Sequence, residues 1–503
     1  MRIQGAKTKK ICIRGLALFF ALACALMLFA CGIASENNND SNINDTEDDH
    51  SHPAPELRDT LILPFATRDT LNPYRAVTEL NLELASLMYE GLFAADTAYD
   101  PTPILAERIA QQSPTQFTVE LRSRVFHNGN AVTVSDVIYS WRAARTNANF
   151  SARLENISSM REHDGNLEIT LHRPNVFIAA NLDFPVVPDG TSGQNRAPAG
   201  TGPFRFIEQD NRYMLQHCEH HPGEAPSLIS IVLHGVNNSA ALLHGLELGN
   251  YQFAFYNLGS GELPRVSAAT YRVSTTNLVF LGINSARSQL HDASLRTALA
   301  ACLDIPRLIS DAFQGYAEAT TTPFPQGFHA LEEAFEQSFN AVAARQSLEP
   351  FGNLNFDLVV QRDNPAHLST ANLIRAQLQH FQVDVNIRAL SRANYDDAIR
   401  NGNFDLYIGE LRLTPSLELS PLLLYGGAAT RGVQVWGRAS SAYGQMLQGL
   451  LSPDDFVEIF LDDMPFVPLA YRFGMAAAVR SLRIPADELT RNNLFGNIAN
   501  WQF

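Results

Sequence analysis

The chain has 503 residues, 46% of them hydrophobic and 18% charged, with a formal net charge of −15. An acidic excess of this kind gives no electrostatic attraction to nucleic acid or to an anionic membrane face. The only lysines are Lys7, Lys9 and Lys10, so the rest of the chain is cationic through arginine alone, which excludes Schiff-base chemistry and a phosphate-loop lysine there.

At the start, Arg2, Lys7, Lys9, Lys10 and Arg14 precede an uncharged run from Gly15 to Ala30, too short to span a bilayer comfortably. This is the pattern of a secretion signal. Leu28 stands three residues before Cys31 and the small Ala30 directly before it, as in the lipobox of bacterial lipoproteins, whose cysteine is diacylated and becomes the mature N-terminus. Cys24 is an alternative within the apolar run, and an uncleaved anchor or an incidental cysteine in a secreted protein are the plainer readings. The expectation is a lipoprotein signal peptide over 1–30, a lipid anchor at Cys31, and an extracytoplasmic protein on the outer face of the cytoplasmic membrane. Cys12 and Cys24 then leave with the signal, and Cys218 and Cys302 read as buried thiols rather than a disulfide framework. Residues 31–56, rich in Asn, Asp and Ser, cannot bury a core and read as a disordered acidic tether with a reach of about 25–30 Å.

Beyond the tether, Leu61 to Phe65 reads as a strand running into the turn Thr70-Leu71-Asn72-Pro73. Leu80, Leu84, Leu87 and Met88 fall at helical spacing, with Gly91 where a C-terminal cap belongs. Thr118 to Leu121 reads as a strand, Asn128-Gly129 as a tight turn, and Thr133 to Asp136 as a capping box opening a helix with Val137, Ile138, Trp141 and Ala144 on one side. Strands are expected at Leu167 to Leu171, Phe204 to Phe206, Ile229 to Leu233, Phe253 to Tyr256 and Leu278 to Ile283, with a helix over Leu242 to Asn250. Helices follow around Leu295 to Leu303, from Asp304 to Gly315, from Ser369 to His380 and around Tyr395 to Ile399, with strands Val383 to Ile387 and Phe404 to Ile408. Ser452-Pro453 caps one more helix, and Phe466 to Phe473 is a last strand. The alternation is that of an α/β protein.

Catalytic motifs are missing: there is no Gly-x-Ser-x-Gly elbow, His-Glu-x-x-His, Cys-x-x-Cys or glycine-rich nucleotide fingerprint. The one cluster with metal-ligand chemistry in the body, His217-Cys218-Glu219-His220-His221, puts adjacent side chains on opposite faces of a strand and reads as a surface loop. Glu332, Glu333 and Glu336 read as one charged helical face. No catalytic residue, cofactor or metal is expected.

These punctuation marks have a familiar order. Thr70-Leu71-Asn72-Pro73, Tyr89-Glu90-Gly91-Leu92, Pro103 to Glu107, Phe126-His127-Asn128-Gly129, Ser135-Asp136-Val137, Gly200-Thr201-Gly202-Pro203, Leu295 to Leu299, Phe404-Asp405-Leu406 and Pro465 to Leu469 succeed one another at suitable spacing. In this the chain resembles family 5 of the extracellular solute-binding proteins of bacterial ABC importers, the oligopeptide-, dipeptide- and nickel-binding group. The resemblance runs from about residue 57 to the end. It implies a two-lobed periplasmic-binding-protein-like fold, type II, cluster C, with an extra subdomain inserted in lobe I. Lobe I would comprise 57–75, 183–275 and 465–503, the insert 76–182, and lobe II 276–464, with hinge bending near 275 and 465.

The resemblance further implies a monomer that captures peptides between its lobes and delivers them to a permease pair with its ATPases. It places ligand contacts at Thr67 and Asp69, at Tyr256 and Asn257, at Asn277 and Phe280, and at Gly409, Glu410 and Leu411. Tyr425 and Trp436, in a glycine-rich region, could line the cleft or pack on it. Relatives usually carry Gly-Trp at 409–410 and, three residues later, an Asp that pairs with the peptide ammonium; this chain has Glu410 and Leu413 there. Either Glu410 supplies that charge or the ligand has no free ammonium; an internal ion pair of Glu410 with Arg412 or another arginine is the structural alternative. A metal-chelate receptor, a surface sensor without import and a secreted hydrolase are the competing functions.

Overall fold

The computed structural model describes residues 60–503, apart from 210–211, 224–225, 227, 229, 238–240, 336–337, 425–436 and 486–488. The signal, Cys31, the tether, Glu336, Tyr425 and Trp436 therefore lie outside the described residues. No helix among the described residues is long and apolar enough to cross a membrane.

Three sheets carry the architecture, each with its own apolar core. In the first, Thr60–Ala66 pairs in parallel with Ser230–Val236, which continues antiparallel to Arg212–His217 and Phe204–Gln209. Its core runs from Leu61 and Leu63 to Phe253, Phe495 and Trp501. A second, fully antiparallel sheet orders Ala106–Ser113, Gln116–Leu121, Asn166–Leu171 and Ile157–His163, covered by the helix Val134–Ala144. Thr133 closes that helix's N-terminus with the expected capping box: its hydroxyl accepts from the Asp136 N–H while the Asp136 carboxylate accepts from the Thr133 N–H at 2.9 Å.

The third sheet is the largest, in the order Phe253–Tyr256, Phe466–Ala478, Ala269–Ile283, Leu406–Arg412, Leu354–Gln361 and Val383–Leu390. Leu354–Gln361 is parallel to both Val383–Leu390 and Leu406–Arg412, which demands crossovers, and the helices Pro365–Gln379 and Arg392–Arg400 supply them. Two strands here are far longer than a typical strand: Ala269–Ile283 and Phe466–Ala478 start in one core and finish in another. Val273, Ala476 and Ala478 pack with the first sheet's core, whereas Leu278 to Leu281 and Phe466 to Tyr471 pack in the large core of the third. Between Val273 and Asn277 the pairing of the two strands slips, leaving extra residues on the first. Such an irregularity bends a strand pair locally.

Several local expectations need correcting. The helix Glu79–Ala85 ends well before Gly91, and Gly91 is not its cap: a Cβ there would stand 2.6 Å from the Asp183 carbonyl carbon, so it is a close-approach glycine. Gly200 and Gly202 answer the same need against the Met88 backbone, where the Gly202 N–H donates to the Met88 carbonyl at 2.9 Å. Ser369 lies inside a helix that begins four residues earlier, because Asn364 caps it by accepting the His367 N–H at 3.1 Å and Pro365 supplies a pre-set first turn. Glu332 and Glu333 are not helical; their N–H groups are fixed by the Asp454 carboxylate. Cys302 is buried and Cys218 half-buried, both as free thiols.

Candidate functional site

A cavity of about 660 Å³ opens where parts of all three sheet systems meet. That volume is within the range of sites for small molecules. The helix Glu79–Ala85 and the segment 491–499 form one wall, Gly91, Ala148 to Arg153 and Asp183 another, and Arg412, Leu413 and Thr414, at the end of the strand Leu406–Arg412, a third.

The first wall is held by a chain of local bonds. Asp69 accepts from the Thr78 N–H at 2.8 Å and the Thr78 hydroxyl at 2.6 Å, and from the Thr70 and Val77 N–H groups. Burial opposes the Asp69 charge, but these donors outweigh it and hold the carboxyl below its ordinary value. Thr78, so fixed, caps the helix at the Asn81 N–H. Inside the helix turn, Asn81 spends its amide on the Ala66 backbone, in both directions, and on the Thr70 carbonyl. Glu79 and Glu83, four apart on one helix face, are thereby aimed at the cavity.

Arginines answer them unevenly. Arg491 bonds Glu79, whose other partner is the Asn257 amide at 3.1 Å, and Arg153 bonds Asp183. Burial works against the Glu79 charge, yet Arg491 keeps its carboxyl below the usual range. Arg412 has no hydrogen bond or ion pair from its guanidinium among the described residues. Although the residue is exposed overall, protein crowding withdraws water from the guanidinium, and Arg491 and Arg153 repel it, bringing its pKa down to about 10. Glu83 Oε1, Asp183 Oδ1 and Glu90 Oε2 are buried with no hydrogen-bond partner among the described residues. Burial pushes the Glu83 carboxyl up to about 8 despite the nearby Arg491, so at neutral pH it is largely uncharged.

None of the described residues to which the resemblance assigned ligand contacts lines this cavity. Asp69 and Asn257 stand one step behind it, supporting Thr78 and Glu79. Thr67 is exposed against Gly235, and the Tyr256 hydroxyl is buried without a partner among the described residues, its pKa raised by that burial. Phe280 is a core ring, edge-on to Tyr407 and Phe466 at 5.5 and 5.4 Å. Gly409 leaves room for that ring, since a Cβ there would come 2.4 Å from it, and Leu411 packs half-buried on the same core.

Glu410 has the internal ion pair that was its structural alternative, made with Arg472 and not with Arg412. Its Oε1 accepts from Arg472 Nε and the Asn277 amide, each at 2.7 Å, while Oε2 lies 2.9 Å from His367 Nε2. Burial alone would raise its pKa; the His367 hydrogen bond and the Arg472 charge overcome this and lower it to about 2. Leu413 is buried and locked to Thr276 by bonds of 2.9 and 2.7 Å. The His217–His221 cluster converges on nothing: His221 pairs with Glu90 at 3.0 Å, and no group of three or more His, Cys, Asp or Glu among the described residues is placed to hold a metal ion.

Sequence reasoning missed Glu79, Glu83, Arg153, Asp183, Arg412 and Arg491. For the two glutamates a signal existed, because the stripe Leu80, Leu84, Leu87 that buries the helix leaves positions 79 and 83 on an adjoining face. The arginines come from three separate segments of the chain, and no spacing announces them.

Residues 100–427 match the family model of bacterial extracellular solute-binding proteins, family 5 Middle. The chain belongs to that family. It is a family of substrate-binding receptors serving ABC importers, not of enzymes. Among curated relatives, the glutathione-binding protein GsiB of Pectobacterium atrosepticum is 24% identical over 355 residues, covering 66% of this chain and 68% of its own. Among solved structures, the unliganded open form of the periplasmic murein tripeptide binding protein MppA matches with a TM-score of 0.72 at 17% identity, over 86% of this chain and 96% of that one. NikZ from Campylobacter jejuni, in complex with Ni(L-His), matches with a TM-score of 0.60 at 16% identity, over 89% and 100%. The fold is therefore the two-lobed periplasmic-binding-protein fold of the family.

Proposed function

We propose that this receptor captures short peptides in the 660 Å³ cavity and hands them to an importer's permease pair, acting as a monomer held to the membrane by lipid on Cys31. The observation that carries the reading is the cavity's wall, in which carboxylates and guanidiniums of both signs stand among apolar side chains, as a ligand with charged ends and an apolar body requires. Relatives named for glutathione and for a murein tripeptide point to the same size of ligand. In this reading lobe I is 57–75, 183–275 and 465–503, with 76–182 inserted in it, and lobe II is 276–464. Closure bends the two long strands where their pairing slips. Capture then depends on a ligand that binds the closed form better than the open one.

Native mass spectrometry of gently purified protein, followed by calorimetry with di- to pentapeptides and with nickel–histidine chelate, tests the ligand class. A retained or titrating peptide supports the reading; tight chelate binding with no peptide binding sinks it. The anchor has its own test, since Cys31→Ser should move the protein from the membrane fraction to the soluble extracytoplasmic fraction.

A further inference from the structure

Three arginines meet at the cavity, and two of them are spoken for. Arg491 has Glu79 and Arg153 has Asp183, each as a direct ion pair. The Arg412 guanidinium is left with neither hydrogen bond nor ion pair among the described residues, at the end of its strand and on the cavity wall. Glu83 does not serve as its counter-ion: no bond joins them, and the carboxyl is largely protonated at neutral pH. Arg412 is thus a guanidinium without a direct partner among the described residues, repelled by Arg491 and Arg153 more strongly than Glu79 and Asp183 attract it. An unpaired cation beside two more is relieved by an anion, and a planar guanidinium suits a carboxylate, which it can hold through two parallel bonds.

We propose that Arg412 selects the ligand by binding a carboxylate, the free C-terminal acid of a short peptide, so that the receptor takes acids and rejects the corresponding amides. The proposal rests on the peptide reading for the identity of the acid, not for the existence of the anion site. It assigns Arg412 the deciding charge, while Arg491 and Arg153 keep to their carboxylates and steer.

Trialanine and trialanine amide, titrated by calorimetry into wild type, Arg412→Gln and Arg412→Lys, provide the test. A charge-assisted bond of this kind is worth about 10- to 100-fold in affinity. Wild type should prefer the acid by that factor, Arg412→Gln should bring the ratio to within about 3-fold, and Arg412→Lys should fall between, because it keeps the charge and loses the fork. Equal binding of acid and amide by wild type, or an unchanged preference in a folded Arg412→Gln protein, overturns the proposal. If neither peptide binds wild type, the peptide reading is what fails. The anion site is then read from thermal shifts in sodium glutarate against sodium chloride of equal ionic strength. Stabilisation by glutarate that disappears in Arg412→Gln supports it, and no stabilisation of wild type overturns it.

Discussion

Glu410 and Arg412 stand two residues apart on one strand, and so project to the same side of the sheet. Their surroundings are opposite. Both oxygens of Glu410 are bonded, by Arg472, Asn277 and His367, where the two long strands pass between cores. The Arg412 guanidinium is bonded to nothing among the described residues, and three carboxyl oxygens of the same cavity's lining are buried without partners among them. Buried polar groups are satisfied as a rule, and an unsatisfied one carries a cost. The contrast teaches that the strand-passage cluster is finished by folding, whereas the cavity is finished only by something that arrives. The same strand therefore contributes to structure and, one turn of the pleat later, to recognition.

The largest way to break this contrast is to unmake the finished cluster. Arg472→Met leaves Glu410 buried without its guanidinium and should cost about 3–5 kcal/mol of stability in urea unfolding. A loss below about 1 kcal/mol would show that the pair is not holding the strand passage. The Glu410 ionisation also has a pH signature. Its folded pKa of about 2 lies below the unfolded value of 4.5, so the stability it contributes is complete above pH 4.5 and drains away as pH falls toward 2. Wild type should accordingly lose stability across that acid window, and Glu410→Gln should lose less.

Glu83, on the unfinished side, should behave in the reverse sense. The folded protein keeps the Glu83 proton up to about pH 8, whereas the unfolded chain releases it near 4.5, so stability falls as pH rises between those values. Glu83→Gln mimics the protonated acid and removes this dependence. Relative to wild type it should gain about 1–3 kcal/mol on going from pH 5 to pH 8, read from paired urea melts. Parallel pH profiles for the two proteins would place Glu83 in contact with water and end its part in the comparison.

How much of this could be read from the chain depends on how local the information is. Thr133 and Asp136 announce a helix start because both partners lie within one turn, and Ser452-Pro453 does the same for Pro453–Asp463. The strand at 278–283 was legible from its apolar run, but its first half, from Ala269, carries Thr, Tyr, Arg and Ser and shows its role only when paired with Phe466–Ala478. The last strand likewise packs in one core over Phe466 to Tyr471 and in another at Ala476 and Ala478, a passage that no neighbouring residue signals. The resemblance pointed to residues 409–411 of the strand whose last residue, Arg412, lines the cavity. Glu410 drew attention as a lone acid, yet its partners Arg472 and His367 are distant in sequence, and nothing near Arg412 says that it would find none.

The smallest expected effect is the most direct probe of that last point. In the ligand-free protein Arg412→Gln removes no side-chain hydrogen bond or ion pair among the described residues, and it relieves a repulsion from Arg491 and Arg153 that exceeds the attraction of Glu79 and Asp183. Truncating a charge at an exposed position of this kind changes stability by about 0.5 kcal/mol or less. The expected outcome is therefore an unfolding midpoint equal to or slightly above that of wild type, with the gain shrinking as salt screens the repulsion. A loss of about 1 kcal/mol or more would mean that Arg412 is already spent on the fold, in which case it resembles Glu410 after all and the cavity must find its ligand by other groups.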